Sequence, residues 1–109
     1  MNRIPYQFID EPSKVGAIAA ILSKSKWIAF DTEFVRETTF FPILEILQVA
    51  DETNIWLFDV PKLGKNGLKP ILDVFQNPEI LKIVHAAQGD QEALFTSFGL
   101  VAQPILDTA

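Results

Sequence analysis

Phe30-Asp31-Thr32-Glu33-Phe34 places two carboxylates at the end of an apolar run, Trp27-Ile28-Ala29. A run of this kind, rich in aromatic and β-branched residues, reads as a buried strand over 27–33. Side chains two apart on a strand share a face. Asp31 and Glu33 therefore point the same way, beside the core, with no Lys or Arg between them. Two like charges in a low dielectric resist ionisation unless a positive charge answers them. A divalent cation with oxygen ligands, Mg²⁺ or Mn²⁺, is the simplest answer. A strand end that has already reached solvent would satisfy the same two acids. Partners elsewhere in the chain decide between these readings.

Upstream, Asp10-Glu11-Pro12-Ser13 is a helix start with acids and a proline in its first turn. Val15, Ile18, Ile21 and Leu22 recur at helical spacing, so 12–24 reads as an amphipathic helix. Downstream, 35–42 is polar, then aromatic, then broken by Pro42, which describes a loop. Strands follow at 43–50 and 54–60, separated only by Asp51-Glu52-Thr53, a spacing that suits an antiparallel hairpin. Gly64 to Gly67 is a flexible lead-in to a helix marked by Leu68, Ile71, Leu72 and Phe75, with Pro70 in its first turn and Asn77-Pro78 as its stop. A fourth strand is expected at 80–85. A helix follows at 88–98, with Leu94, Phe95 and Phe98 inward and Gly99 as its cap. Pro104-Ile105-Leu106-Asp107 reads as a fifth strand. Hairpin first and β-α-β crossovers after predict one α/β domain, a mixed five-stranded sheet with helices on its faces.

The bulk composition narrows the function. The 109 residues suffice for one domain with a core, and 49% of them are hydrophobic, which argues against disorder. No apolar run is long enough to span a membrane, and Met1-Asn2-Arg3-Ile4-Pro5 holds no signal region. With no cysteine there are no disulfides, zinc thiolates or thiol nucleophiles. A cytoplasmic location is the expectation. The net charge of −5 opposes a surface that coats nucleic acid. It leaves room for an enzyme that handles phosphates through bound metal, since the metal brings the positive charge.

A third acid joins the pair. His85-Ala86-Ala87-Gln88-Gly89-Asp90 sets Asp90 in the first turn of a helix that follows a strand, where sites form in α/β sheets. If that strand lies beside 27–33, Asp90 approaches Asp31 and Glu33. Alternatively, Asp90 only complements the helix dipole. His85, the one histidine, is either a hydrogen-bonded strand-end residue or a ligand.

These motifs resemble ribonuclease D and its relatives, within the four-carboxylate (DEDD) 3′–5′ exonuclease superfamily. The first family motif is carried by Phe30-Asp31-Thr32-Glu33-Phe34-Val35-Arg36, then Thr39-Phe40-Phe41-Pro42 and Leu47-Gln48. The second is similar to His85-Ala86-Ala87, Asp90, Glu92 and Leu94, and Ile105-Leu106-Asp107-Thr108 is similar to the strand after that helix. The resemblance spans essentially the whole chain. It implies a ribonuclease H-like fold and two divalent metal ions, Mg²⁺ or Mn²⁺. Asp31, Glu33 and Asp90 match three of the four catalytic, metal-holding carboxylates. Phe34, Arg36 and His85 fall where substrate is contacted. The implied substrates are single-stranded RNA 3′ ends, tRNA-like precursors among them, cut to nucleoside monophosphates.

The third motif, a tyrosine four residues before the fourth aspartate, has no counterpart here, because Tyr6 is the only tyrosine and stands far upstream. The exonuclease domain is therefore expected to be incomplete at its C-terminal end and inactive as 1–109 alone. Apolar surface left bare there is expected to drive self-association. Thr38, Phe40, Phe41, Gln91 and Glu45 depart from the family pattern. A non-catalytic module that keeps the fold and binds nucleic acid or protein is the competing reading. An unrelated α/β domain with solvated acids is a third.

Overall fold

A computed structural model describes residues 5–35 and 43–109. The expected loop over 35–42, with Arg36, Thr38, Phe40 and Phe41, lies outside them apart from Val35 at its start. The elements run Tyr6–Ile9 (β1), a 3-10 turn at Pro12–Lys14, Val15–Leu22 (α1), Trp27–Val35 (β2), Ile43–Ala50 (β3), Ile55–Asp59 (β4), Val60–Gln76 (α2), Leu81–Val84 (β5), Ala87–Phe98 (α3) and Ile105–Asp107 (β6). The sheet order is β1-β4-β3-β2-β5-β6. The strands β2, β3 and β4 form an antiparallel meander, while β1 joins β4, and β5 and β6 join β2, in parallel.

The sheet has two unlike faces. Ile28, Phe30, Leu47, Val49, Trp56 and Phe58 share one face and are buried. They join Val15 and Leu22 of α1, Leu68, Ile71 and Phe75 of α2, and Leu94 and Phe98 of α3 in one core. The Phe30 and Phe75 rings lie 4.9 Å apart between centroids, tilted by 49°, a favourable aromatic geometry. The opposite face carries Ala29, Asp31 and Glu33 level with Ala50, Gln48 and Ile46, and beyond them Ile55 and Leu57. Strand residues, with His85 just past β5 and Thr108 just past β6, line two concavities on it. Among the described residues the helices cover one face and leave this one open.

Several expectations need correction. Among the described residues the sheet has six strands instead of five, because Tyr6–Ile9 adds an edge strand. The helix expected over 12–24 is a 3-10 turn followed by Val15–Leu22, and Ile21 on it is exposed. Its first turn holds no acid; Asp10 instead pairs with Lys62 at 3.3 Å. The stretch from Gly64 to Gly67 belongs to α2, which starts at Val60 under an Asp59 cap to the Lys62 N–H and kinks where Gly64 takes φ 69°. Phe95 is 63% exposed instead of facing inward. Glu45 is accommodated because the β2–β3 register skips it, with Glu33 opposite Ile46 and Phe34 opposite Leu44. An unpaired residue at such a bulge can turn its charge to solvent.

Candidate active site

Asp31 and Glu33 share a face, as the period of two requires, but it is the open face, and both are exposed instead of lying beside the core. Helices packed on the other side leave them in water. An Asp31 oxygen accepts the Thr32 N–H at 2.9 Å. Asp31 lines both concavities of the open face. One, of about 420 Å³, also holds Gln48, His85 and Thr108; the other, of about 310 Å³, holds Glu33, Gln48 and Tyr6.

Asp90 reaches the same strand from the helix side. The parallel pairing of β2 with β5 sets Trp27 level with Leu81, so the turn from β5 into α3 lies beside β2. Asp90 is buried and accepts the Thr32 hydroxyl. Burial raises its carboxyl above the ordinary 3.8; hydrogen bonds from Thr32 oppose this, and the charges of Asp31 and Asp107 add to it. Asp31 and Asp90 therefore sense each other across β2. Thr32, between the two acids in sequence, is a site residue that the motif alone does not mark. Its place was visible, since the middle residue of Asp-x-Glu must face the other way.

The β5–α3 turn is held from β6. Ala86 takes φ 59°, ψ 65° and offers no side-chain cap to α3. Asp107 supplies one: its oxygens accept the Ala87 N–H at 2.8 Å and the Ala86 N–H at 2.9 Å. Those bonds and one from the Ala109 N–H hold the Asp107 carboxyl below its ordinary value. His85 is exposed, with Nδ1 3.1 Å from the Thr108 hydroxyl. Gln91 clamps the backbone of Ala102 with both ends of its amide, each at 2.8 Å, which gives a polar residue a reason to sit there. Phe34 is partly buried against the core, and its ring would touch a Cβ at Gly89. It lies on the helix side, away from the face of Asp31 and Glu33. Arg36 lies outside the described residues.

Among the described residues, no three acids or histidines stand together closely enough to hold a metal ion. The donors fit a hard divalent cation in kind: they are carboxylate oxygens, and the repulsion between Asp31 and Asp90 is what a bound cation would relieve. None of the helices formed by described residues is long and apolar enough to cross a membrane.

An open sheet face bearing two acids, with a third at the start of the neighbouring helix, describes a class that comparison with known proteins defines further. The sequence model of a 3′–5′ exonuclease domain matches residues 6–109. The chain belongs to the 3′–5′ exonuclease family. Within it the similarity is to ribonuclease D. The ribonuclease D of Nitrobacter hamburgensis is 34% identical over 100 residues, which cover 92% of this chain and 26% of that protein. The crystal structure of Escherichia coli RNase D superposes with a TM-score of 0.88 at 31% identity, over 95% of this chain and 27% of the other. The Trypanosoma brucei RNase D solved in complex with RNA U12 gives a TM-score of 0.87 at 23% identity, over 96% and 38% of the two chains, a likeness of fold. The chain thus spans about a quarter of the length of the curated relatives it matches.

Proposed function

We propose that these residues are the carboxylate-bearing part of a 3′–5′ exoribonuclease of the ribonuclease D type, acting in the cytoplasm on single-stranded RNA 3′ ends such as those of tRNA-like precursors. The observation that carries this reading is the trio itself. Asp31 and Glu33 stand side by side on an open sheet face, and buried Asp90 lies within electrostatic reach of Asp31. In the reaction water attacks the last phosphodiester, and the bond from phosphorus to the 3′ oxygen of the preceding nucleotide breaks. A nucleoside monophosphate leaves, and the shortened RNA keeps a 3′ hydroxyl.

Asp31, Glu33 and Asp90 would hold two divalent ions, Mg²⁺ or Mn²⁺. Such ions supply charge stabilisation to the attacking and leaving oxygens. The chain's own residues prepare the ground. Thr32 fixes the Asp90 carboxylate. His85 shares a concavity with Asp31, which supports a role for it beside the terminal nucleotide. Arg36 is assigned a phosphate, and Phe34, whose ring packs close to Gly89 in the first turn of α3, supports that turn from the core side. The fourth carboxylate and the tyrosine implied by the family resemblance have no counterpart in 1–109, so this stretch alone is expected to release little nucleotide. A positioned general base contributes about 10²–10⁴ in rate. One observation favours a binding module instead: the three acids do not converge into a cage.

Titration with Mn²⁺ separates the two readings. A cation bound to the native state raises the melting temperature. The wild-type chain should show that rise, and Asp31→Asn should lose most of it. Equal shifts in both proteins would sink the carboxylate reading.

A further inference from the structure

We infer that Asp107, on the strand next to the site, is a positioning residue that sets the β5–α3 turn and so fixes where His85 and Asp90 stand relative to Asp31. The inference rests on the carboxylate reading above and adds to it a residue that touches neither metal nor RNA.

The helix α3 needs such help. Its first N–H groups have no partners within the helix, and Ala86 at the cap has no side-chain acceptor to offer. Ala86 also holds a left-handed conformation, φ 59°, which an L-residue with a Cβ adopts at a cost. Such a residue persists only where its surroundings over-determine it. Here they do. One Asp107 oxygen takes the Ala86 and Ala109 N–H groups, both at 2.9 Å, and the other takes the Ala87 N–H at 2.8 Å. The carboxylate is in turn anchored by the sheet. Val84 stands level with Asp107, and the Thr108 N–H donates to the Val84 carbonyl at 2.9 Å. One residue further, the Thr108 hydroxyl stands 3.1 Å from His85 Nδ1. Three successive residues at the mouth of the site, His85, Ala86 and Ala87, are therefore all held from β6 and the residue just past it.

The same bonds separate Asp107 from a ligand role. Its two oxygens together accept three backbone N–H groups. A carboxylate committed in this way orients the chain around a site instead of binding the cation. Asp107 also answers the positive end of the α3 dipole, and that part of its role is purely structural. The test has to separate the two contributions.

Asp107→Asn in the 109-residue chain keeps the shape but replaces one acceptor with an NH₂ group facing backbone donors. Amide exchange at Ala86 and Ala87 should quicken while that of Val49, in the sheet centre, stays unchanged. The Mn²⁺ dissociation constant, read from paramagnetic broadening, should rise by about tenfold, as losing a partner that orients a ligand does. The double variant Ala86→Gly/Asp107→Asn removes the Cβ strain at φ 59° and should regain part of the melting temperature without regaining Mn²⁺ affinity. It also carries the test if the single variant does not fold. Mn²⁺ affinity within twofold of wild type in either variant would show Asp107 to be a structural cap only, and unchanged exchange at Ala86 and Ala87 would show that it does not hold the turn. A wild-type chain that takes up no Mn²⁺ overturns the carboxylate reading and the positioning role together. A wild type that binds and variants that bind equally well overturn the positioning role alone.

Discussion

The Thr32 hydroxyl on β2 donates to the Asp90 carboxylate on α3, so the strand that carries Asp31 and Glu33 is tied to the helix that carries the third acid. The bond crosses 58 residues of sequence. It satisfies a carboxylate that is 6% exposed, and it fixes the spacing of the candidate site.

Removing that hydroxyl should therefore cost more than an average surface change. Thr32→Val keeps the β-branched shape and leaves Asp90 without its side-chain donor. A buried polar group that loses its partner costs about 1–3 kcal/mol. Urea unfolding at neutral pH should show the midpoint falling with little change in slope. A midpoint equal to wild type would mean that water replaces the hydroxyl without loss.

Asp90→Asn should have the opposite sign. The variant keeps an acceptor for Thr32 and removes a charge that burial and Asp31 both disfavour. Without added metal it should be more stable at pH 7, by on the order of 1 kcal/mol, since partial solvation screens the charge. The native carboxyl of Asp90 is raised above the ordinary 3.8. Its favourable contribution is thus complete below that pH and is lost as pH rises through the raised native value. The advantage of the variant should be largest at neutral pH and fade as pH falls through the raised native value toward 3.8. An advantage independent of pH would point to packing instead of charge.

Local pattern made part of this legible. The strand 43–50 was readable to the residue because alternation and the Asp51-Glu52-Thr53 turn bounded it, and Gly99 announced the end of α3 through its left-handed conformation. The shared face of Asp31 and Glu33 follows from the period of a strand alone. Which face the helices cover does not, since that is decided by packing between distant segments; hence the acids proved exposed. The strand β1 escaped notice because Tyr6 and Phe8 stay exposed and its pairing with β4 lies some 49 residues away, Tyr6 opposite Ile55. The Asp107 cap on α3 joins two strands and a helix across space, and no spacing rule within either segment announces it.

Lys82 supplies a test by pH. It is wholly buried beside Ile28, and its Nζ donates to the carbonyls of Asn77 at 2.5 Å and Gln103 at 2.8 Å. Burial lowers its pKa from 10.5 to about 8. Between those values the unfolded chain binds more protons than the native one, so stability rises with pH across that window and levels off above it. The difference between wild type and Lys82→Met isolates this term from the other lysines. It should move in favour of wild type from pH 8 to pH 10.5. A flat difference would show the ammonium to be hydrated.

The open sheet face should make 1–109 self-associate. On its edge Tyr6 is 67% and Phe8 52% exposed, and Ile55, Leu57 and Ile46 continue the apolar surface toward Glu33. Contiguous apolar area of this kind is seldom left in water. A second copy is the occupant expected at high concentration, through a two-fold contact that places the same patch on both subunits. Sedimentation velocity from micromolar to millimolar protein should show the average mass climbing above that of the 12.2 kDa chain. Phe8→Ser should shift the climb to higher concentration, at little cost to the fold because half of that ring is already in solvent. A sharp monomer mass throughout, or a climb that Phe8→Ser leaves untouched, would remove this face from consideration as the contact.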